Sequence, residues 1–355
     1  MKKQIFQTIY LLFAVVIIAG ISFSSCKKDT TTPVVKTALA DSLAAANTLL
    51  TNSVEGVAAG QYQWGSKAIL QTTITAIQAI KDDPASTQIV INNAIANLSA
   101  AVALFKTKAI VPVAQANLIA QWTFSEGTGT TVTDLSSNHL VGTLMAGHSA
   151  IVGGGALPTW STDRYGVANQ ALYFKKGAHI EVPFQTILTP AQITISVWVK
   201  VDTIWANNYI LSEKYWEGYK FQLQDGNRPF FTYKTSDAQY FDRDWNVNGL
   251  PNDHTWHQLA VTLKAGEETF YGDGVLIYTW TNVTGTINTS LPNPQAFVIG
   301  QEQPNTLTGI AAGDDPSQWG VGFFKGWLDD IRIYNTALTS AQIQSIYNIE
   351  KVSAK

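Results

Sequence analysis

Residues 323–338 read FFKGWLDDIRIYNTAL, and this stretch decides the fold. Apolar side chains recur through it as in a β-strand, but two adjacent carboxylates, Asp329 and Asp330, interrupt the run. Such a pair can be a catalytic dyad, a metal site or a solvated edge. Because successive strand side chains point to opposite faces, alternation predicts that Asp329 faces inward and needs a partner. It also predicts that Asp330 faces outward, in a weak surface ion pair with Arg332.

The composition favours neutral ligands over nucleic acid. The chain has 355 residues, of which 46% are hydrophobic and 14% are charged, and it contains 11 Trp and 13 Tyr. An ordinary globular protein has about 25% charged residues. The formal net charge is −3 and no Lys/Arg-rich stripe occurs, so the sequence lacks the electrostatic footprint of a phosphate-backbone partner. The length predicts two or three domains.

Residues 1–25 have the pattern of an export signal. Lys2 and Lys3 precede an apolar run of about 17 residues, which is also close to the lower limit for a transmembrane anchor. The only cysteine of the chain, Cys26, follows this run and two serines. The arrangement resembles the lipobox of bacterial lipoproteins, and "CKKD" resembles the surface-export tag of Bacteroidetes lipoproteins. The resemblance implies cleavage before Cys26, lipidation of its thiol, and a lipid anchor that holds the protein at the outer membrane on the cell surface.

The segment that follows predicts helices. Residues 26–36 form a polar Thr/Pro tether. Over residues 37–108, apolar side chains recur at helical spacing in three stripes that Gly- and Pro-containing breaks separate. Three helices with two short loops predict a small all-α bundle. The spacing resembles the FIVAR module ("found in various architectures"), so we interpret the bundle as a spacer; direct ligand binding through Tyr62 and Trp64 is the alternative.

After a linker over residues 109–117 the apolar period changes from 3.6 to 2. Ten short segments read as strands: LIAQWTF, QALYF, HIEVPF, ITISVWVKV, YKFQLQ, PFFTYK, HQLAVTL, VLIYTW, AFVIG and WLDDIRIY. So many strands without intervening helices predict an antiparallel sandwich. Only the tail TSAQIQSIYNIE predicts a helix, with Thr339 as its N-cap and Gln342 three residues later.

Several segments fall in one order along the chain and carry a family resemblance. They are AQWTFSEGTGTTVTDLSSNHLVGTL, ALYF, HIEVP, ITISVWVKV, TWHQLAVTL, YGDGVLI, FVIGQE and GWLDDIRIYNTALTSAQIQSIY. Together they resemble the laminin-G-like jelly roll of the concanavalin A-like lectin/glucanase superfamily, over residues 118–350. The resemblance implies a two-sheet sandwich, often with a bound calcium ion, in a family whose members mostly bind carbohydrate or protein and do not catalyse. The predicted fold class is therefore multidomain: a three-helix bundle followed by an all-β antiparallel jelly roll.

The carboxylates do not form the pattern of a glucanase of this fold. Such enzymes carry Glu-x-Asp-x-x-Glu on one strand, whereas no glutamate here is followed by an aspartate two residues later. Asp242 and Asp244 form the only Asp-x-Asp, and we interpret their segment as a solvated acidic loop. His254 and His257 fall on opposite faces if their segment is a strand, so we expect no metal between them. We therefore expect no catalysis, and a glycoside hydrolase is the third-ranked interpretation.

Calcium is the predicted cofactor. Calcium binds oxygen ligands, and an inward carboxylate must be paired, hydrogen-bonded or bound to metal. Asp329, with Glu126 or Asp134 from the opening segment, could hold an ion that joins the two ends of the sandwich. The alternative is that Asp329 accepts backbone N–H groups of a turn.

Aromatic side chains predict the ligand site. Sugar rings stack their C–H faces on Trp or Tyr, and exposed loop tryptophans are functional candidates. Trp122, Trp160, Trp198, Trp256 and Trp327 occupy positions that the family fills with apolar residues, and we interpret them as structural. The carbohydrate-binding candidates lie in polar loops: Trp205, Tyr215, Trp216, Trp245 and Trp319. The leading prediction is non-catalytic binding of a polysaccharide or oligosaccharide, and adhesion to a protein partner is the alternative.

Overall fold

The computed structural model describes residues 33–148, 154–251, 253–305 and 322–351. Helices α1 (Thr37–Asn52), α2 (Ser66–Asp82) and α3 (Gln88–Lys106) come first. Their shared core consists of the predicted stripes: Leu39, Leu43, Ala46, Leu50, Leu70, Ile74, Ile77, Ile91, Ala94, Leu98 and Phe105. The three-helix bundle is confirmed. By length and hydropathy α3 could cross a membrane, but it packs in this core.

Sixteen strands follow in the described part of the chain. They are β1 (Leu118–Trp122), β2 (Thr131–Val132), β3 (Gly142–Met145), β4 (Thr159–Ser161), β5 (Ala171–Phe174), β6 (His179–Val182), β7 (Ile193–Val201), β8 (Asn208–Glu213), β9 (Tyr219–Gln224), β10 (Arg228–Lys234), β11 (Tyr240–Asp244), β12 (His257–Lys264), β13 (Glu267–Gly272), β14 (Val275–Trp280), β15 (Phe297–Ile299) and β16 (Gly326–Tyr334). All ten predicted strands are present. The prediction that Asp242 and Asp244 lie on a loop is wrong, because both belong to β11.

The strands form two sheets that pack face to face. The first sheet has the order β14-β13-β12-β7-β16-β5-β4, with β1 also paired to β16, and the second has the order β11-β10-β9-β8-β15-β6-β3-β2. Every strand pair is antiparallel. Inward side chains of both sheets, such as Val197, Leu328, Phe221 and Phe231, share one hydrophobic core. The antiparallel sandwich is therefore confirmed.

A C-terminal helix, α4 (Ser340–Glu350), covers part of the outer face of the first sheet. The predicted capping box is present: the Thr339 hydroxyl accepts the backbone N–H of Gln342, whose side chain reaches back to the N-cap. Apolar residues of α4, including Ile343 and Ile346, pack on Ala260 and Tyr271 of the sheet. Residues 109–117 run beside α4, where the Val111 N–H donates to the Ser345 hydroxyl at 2.8 Å.

The alternation predicted for the twin aspartates is wrong. The register between β16 and β7 shifts between Asp329 and Arg332, which marks a β-bulge, and Asp330 adopts a left-handed φ of 45°. Both carboxylates therefore reach the same guanidinium group. Arg164 Nη1 pairs with Asp329 Oδ2, and Arg164 Nη2 lies 3.0 Å from Asp330 Oδ2. The pair between Asp330 and Arg332 exists at 3.3 Å, but Asp330 is buried and the pair is not at the surface.

This buried ion network also holds the end of α4. Glu350 Oε1 lies 2.8 Å from Arg332 Nε, and Glu350 Oε2 accepts the indole N–H of Trp198 at 2.7 Å. Arg164 Nε donates to the backbone carbonyl of Glu350 at 3.0 Å. Burial raises the pKa of Glu350 to about 8 although both arginines oppose it. The network thus connects β16, β7 and α4 through charges that are shielded from water.

The carboxylates of β16 have pKa values that move in opposite directions. Burial raises the pKa of Asp329 to about 7, although Arg164 counteracts it. Burial acts on Asp330 in the same sense, but Arg332 and Arg164 together outweigh it and hold the pKa of Asp330 below its usual value. Asp330 is therefore the ionised member that the two guanidinium groups share.

We expect Arg164→Met to destabilise the sandwich by about 3 to 5 kcal/mol, because removal of one partner leaves buried carboxylates without their counter-charge. Arg228→Met is the matched control. Arg228 pairs with Asp244 at 2.8 Å, but its side chain is 44% exposed, so this loss should stay below about 1 kcal/mol. Urea denaturation followed by tryptophan fluorescence measures the loss of unfolding free energy in both variants. The signal reports on the sandwich because every tryptophan except Trp64 follows residue 117. Equal losses in the two variants would contradict a structural role of the buried network.

Candidate functional site

The outer face of the second sheet carries a row of polar side chains. Phe221 and Phe231 face the core, so their neighbours on β9 and β10 face outward. In the ladder, Lys220 lies opposite Ser212 and Thr232, and Thr232 lies opposite Asp242. The Thr232 hydroxyl donates to Asp242 Oδ1 at 2.5 Å. Four strands thus bring hydroxyl, ammonium and carboxylate groups together on this face, where Ser212, Lys220 and Thr232 are fully buried and Asp242 is exposed.

Three aromatic side chains stand beside this row: Tyr215, Trp216 and Tyr240, which we call the aromatic cluster. Tyr215 and Trp216 lie in the loop that joins β8 to β9, and Tyr240 begins β11. The ring centroid of Trp216 lies 6.0 Å from that of Tyr215 and 6.2 Å from that of Tyr240. Tyr240 is 47% exposed and the other two are half-buried. The cluster therefore offers ring surface to solvent.

The loop that carries Tyr215 and Trp216 is held by its own backbone. Lys214 has a left-handed φ of 47°, and its carbonyl accepts the N–H of Glu217 at 2.7 Å. Gly218 passes so close to Glu213 that a Cβ at this position would lie 2.3 Å from the Glu213 carbonyl oxygen. Only glycine fits there without displacing the backbone. The turn therefore fixes where the two aromatic rings stand.

Two lysines, Lys220 and Lys234, contact rings of the aromatic cluster, and each also lies near carboxylates of the protein. Lys220 Nζ lies 3.8 Å from the Trp216 ring centroid, and Lys234 Nζ lies 5.0 Å from that of Tyr240. Burial lowers the pKa of Lys220 to about 8, although the nearby carboxylates of Glu302 and Asp242 counteract it. Lys234 forms an ion pair with Glu217 at 2.7 Å.

Beneath the cluster lies a chain of buried hydrogen bonds. The Tyr209 hydroxyl donates to Glu302 Oε1 at 2.9 Å, and Lys220 Nζ donates to the same hydroxyl at 3.4 Å. Gln222 lies opposite Tyr209 in the ladder, and neither polar atom of its buried amide has a hydrogen-bond partner within the described chain. A buried amide without partners costs about 1 to 3 kcal/mol, so water or a ligand group is its expected partner.

The other aromatic candidates have different environments. Trp205 is half-buried, and its indole N–H donates to the Phe323 carbonyl at 3.0 Å while its ring packs against the Phe323 ring. The prediction that Trp245 is an exposed loop residue is wrong: it is 5% exposed, belongs to the core and donates to the Asn248 carbonyl. Trp319 lies outside the described residues. Sequence reasoning missed Tyr240, which only the pairing of β10 with β11 brings beside Trp216.

The predicted calcium ligands do not meet. The carboxylate of Asp134 accepts the backbone N–H groups of Gln121, Ser136 and Leu140 and the Ser136 hydroxyl. Glu126 accepts the N–H of Thr133, and Asp329 pairs with Arg164. Within residues 33–148, 154–251, 253–305 and 322–351, no group of three His, Cys, Asp or Glu side chains could hold a metal ion. These residues do not fit the expected ion, and calcium binding stays a prediction that the calcium content of dialysed protein would test.

The two histidines do not share one site either. His257 Nδ1 lies 3.0 Å from Asp273 Oδ2, whereas His254 Nδ1 lies 3.2 Å from the Val201 carbonyl. Burial acts to lower the pKa of His257, but Asp273 and Asp253 outweigh it and raise this pKa. In the helical bundle, Tyr62 stacks on Phe105 with ring centroids 4.3 Å apart, and Trp64 is 56% exposed.

The fold has counterparts among known proteins. Residues 174–344 match the family profile described as the concanavalin A-like lectin/glucanases superfamily. These residues form a laminin-G-like, concanavalin A-like domain. The strand order and the antiparallel sandwich agree with that assignment. None of the curated proteins compared with the chain matches it.

Solved structures with similar architecture include domain 4 of AbnA, a GH43 extracellular arabinanase from Geobacillus stearothermophilus, in complex with arabinotriose. It is 22% identical, with a TM-score of 0.48, and the alignment covers 65% of this chain and 98% of that domain. The binding domain of Paraclostridial Mosquitocidal Protein 1 is 16% identical, with a TM-score of 0.44 and coverage of 66% and 52%. A structure of botulinum neurotoxin type C, a toxin whose cell entry depends on interaction with two ganglioside molecules, is 14% identical, with a TM-score of 0.45 and coverage of 66% and 51%. The chain thus spans about half the length of the two toxin chains.

We expect Glu213, the last residue of β8 before the loop that carries Tyr215 and Trp216, to make the protein less stable as the pH rises. Its carboxyl is buried and has no hydrogen-bond partner among the described residues, and burial raises its pKa to about 8. An unfolded glutamate has a pKa of about 4.3, so the folded state prefers the protonated form. The favourable contribution is complete below about pH 4.3 and is lost as the pH rises through about 8.

Glu213→Gln cannot ionise, so its loss of unfolding free energy between about pH 5 and pH 8 should be smaller by roughly 2 to 4 kcal/mol. Glu217→Gln, in the same loop but partly exposed, is the control and should follow the wild type. Urea midpoints at both pH values measure the effect. Parallel pH profiles of wild type and Glu213→Gln would disprove it.

Proposed function

We propose that the sandwich binds carbohydrate without catalysis and that the aromatic cluster is its contact surface. One observation carries this proposal: Tyr215, Trp216 and Tyr240 converge on one sheet face beside outward polar side chains. Sugar rings have apolar C–H faces that stack on aromatic rings, while their hydroxyls need nearby donors and acceptors. The cluster supplies the first, and the accessible polar side chains beside it, Asp242, Glu217 and Lys234, supply the second.

The charges favour a neutral sugar at this surface. Lys234 is paired with Glu217, and Lys220 lies near the carboxylates of Glu302 and Asp242. A sugar carboxylate or sulfate would have to compete with these protein carboxylates for the same cations. Hydroxyl groups carry no such penalty and can use the half-buried Lys234 as a donor, whereas Lys220 is fully buried beneath Trp216.

The carboxylates of the face favour binding over hydrolysis. Asp242 accepts the Thr232 hydroxyl, and Glu302 accepts the Tyr209 hydroxyl and the N–H of Gly322. A retaining glycosidase needs one carboxylate as nucleophile and a second as acid, about 5 to 5.5 Å apart. Here hydrogen bonds within the chain already engage these carboxylates, so we assign them to positioning the row.

The proposal extends to the place where binding occurs. The basic start, the apolar run and Cys26 support a lipoprotein anchored in the outer membrane, with the tether and helical bundle holding the sandwich away from the surface. Cys26 lies outside the described residues, so this part rests on the sequence pattern alone. A lipid-anchored glycan-binding protein would serve the capture of polysaccharide at the cell surface.

We expect purified residues 27–355 to bind neutral glycans on an array, and Trp216→Ala and Tyr240→Ala each to weaken that binding about tenfold or more, as for aromatic anchors of other interfaces. Trp64→Ala, which removes an exposed tryptophan of the bundle, should leave binding unchanged. Circular dichroism of each variant shows whether the sandwich remains folded.

Other results would redirect the assignment. An array without any bound glycan, together with specific capture of one protein, would favour adhesion to a protein partner. Release of reducing ends from any polysaccharide would establish a glycoside hydrolase and overturn the proposal of binding alone.

We expect the full chain to be membrane-associated and Cys26→Ser to be released in unprocessed or soluble form, because the thiol is the predicted point of lipid attachment. Metabolic labelling with a fatty acid and membrane fractionation measure this. Serine is nearly isosteric with cysteine, so the variant keeps the apolar run intact. A labelled Cys26→Ser protein would rule out this anchor.

A further inference from the structure

The outer face of the first sheet carries a second set of aromatic side chains. On β7, Trp198 is 4% exposed because Tyr347 of α4 stacks on it at 5.7 Å and Glu350 accepts its indole N–H. Lys200 is the next outward residue of β7, and it is half-buried. In the ladder Lys200 lies opposite Trp327, which lies opposite Tyr173 on β5. This rung therefore reaches the surface, whereas the rung of Trp198 does not.

Five side chains form a continuous row across this face, which we call the aromatic–lysine row: Lys175, Tyr173, Trp327, Lys200 and Trp256. The ring centroids of Tyr173 and Trp327 are 4.6 Å apart. Lys200 Nζ lies 4.0 Å from the Trp327 centroid and 5.4 Å from the Trp256 centroid, and Lys175 Nζ lies 5.5 Å from the Tyr173 centroid. The ring pair Tyr173–Trp327 thus lies between the two lysines, and Trp256 lies on the far side of Lys200.

Hydrogen bonds at the ring edges fix two of these rings. The Tyr173 hydroxyl donates to Asp202 Oδ2 at 3.0 Å, and the Trp327 indole N–H donates to the Ser161 hydroxyl at 2.9 Å. A ring that is held in place before binding loses little conformational entropy when a ligand stacks on it. Trp256 and Trp327, which the sequence analysis interprets as structural, are both half-exposed in this row.

The lysines of this row differ from those of the aromatic cluster in their charge environment. In the part of the chain that the structure describes, Lys175 and Lys200 form no ion pair. Asp202, the first residue after β7, already accepts the Tyr173 hydroxyl. Two unpaired ammonium groups that flank fixed aromatic rings complement a ligand with both apolar ring faces and negative charge.

We propose that the aromatic–lysine row is a second saccharide site, on the opposite sheet from the aromatic cluster, and that it takes an anionic polysaccharide whose sugars carry carboxylate or sulfate groups. From β5 through β16 and β7 to β12 the row spans three strand spacings, or roughly 14 Å. Sugar rings stack on Tyr173, Trp327 and Trp256, and their anionic groups pair with Lys175 and Lys200. The site is independent of the aromatic cluster and stands even if that cluster binds nothing.

Affinity electrophoresis of residues 27–355 through gels that contain polygalacturonate or dextran sulfate tests this site. We expect retardation of the wild type by at least one of the two, which distinguishes carboxylate from sulfate recognition. Lys175→Gln/Lys200→Gln should weaken it roughly tenfold. Lys106→Gln/Lys264→Gln removes the same charge from exposed positions elsewhere and should leave it unchanged. No retardation by either polymer, or equal loss in both double variants, overturns the proposal.

The stacking component has its own test. Trp256→Ala should weaken binding of the acidic polysaccharide, whereas Trp216→Ala in the aromatic cluster should not, so the two sites fail separately. Polyglutamate, an anionic chain without sugar rings, should retard the protein less than the polysaccharide of similar charge. Equal binding of polyglutamate would overturn a saccharide site, because charge alone would then account for the interaction.

Discussion

The sandwich depends on one buried guanidinium group. Arg164 bridges Asp329 and Asp330 on β16, the strand that also pairs with β1, β5 and β7. An isolated charge at this depth would be prohibitively costly, so the bulge in β16 and the position of Arg164 require each other. Glu350 extends the same network to the C-terminal helix. The ion pairs and hydrogen bonds thereby link α4 to β16 of the first sheet.

The position of the C-terminal helix then decides which outer rungs are core and which are surface. Trp198 is covered because α4 ends over it, with Tyr347 on its ring and Glu350 at its indole nitrogen. Two residues further along β7, Lys200 lies beyond that cover. Trp198 is therefore buried, whereas Trp327 and Trp256, which contact Lys200, are accessible to solvent. Local sequence reasoning assigns all three tryptophans to packing.

The sequence predicted features whose causes are local. The apolar stripes of the bundle, ten of the strands and the capping box at Thr339 all follow from spacing within a few residues. The directions in which Asp329 and Asp330 point could not be predicted in this way. They depend on a β-bulge that is stabilised by Arg164, which is 165 residues away from Asp329. Tyr240 was missed for a related reason: the carboxylates of YFDRD made β11 resemble a loop, and only pairing with β10 places its first residue beside Trp216.

The two aromatic surfaces differ most in how their cations are compensated, and this difference determines what each can bind. A lysine that already faces a protein carboxylate gains little from a ligand anion, since the anion must displace the existing partner. An unpaired lysine beside an aromatic ring gains the full interaction. Lys234 with Glu217 represents the first case. Lys200, which lies over Trp327 and has no ion-pair partner within the described ranges, represents the second. Burial lowers the pKa of Lys200, so an anion placed beside this side chain would favour its charged form and gain affinity from that shift.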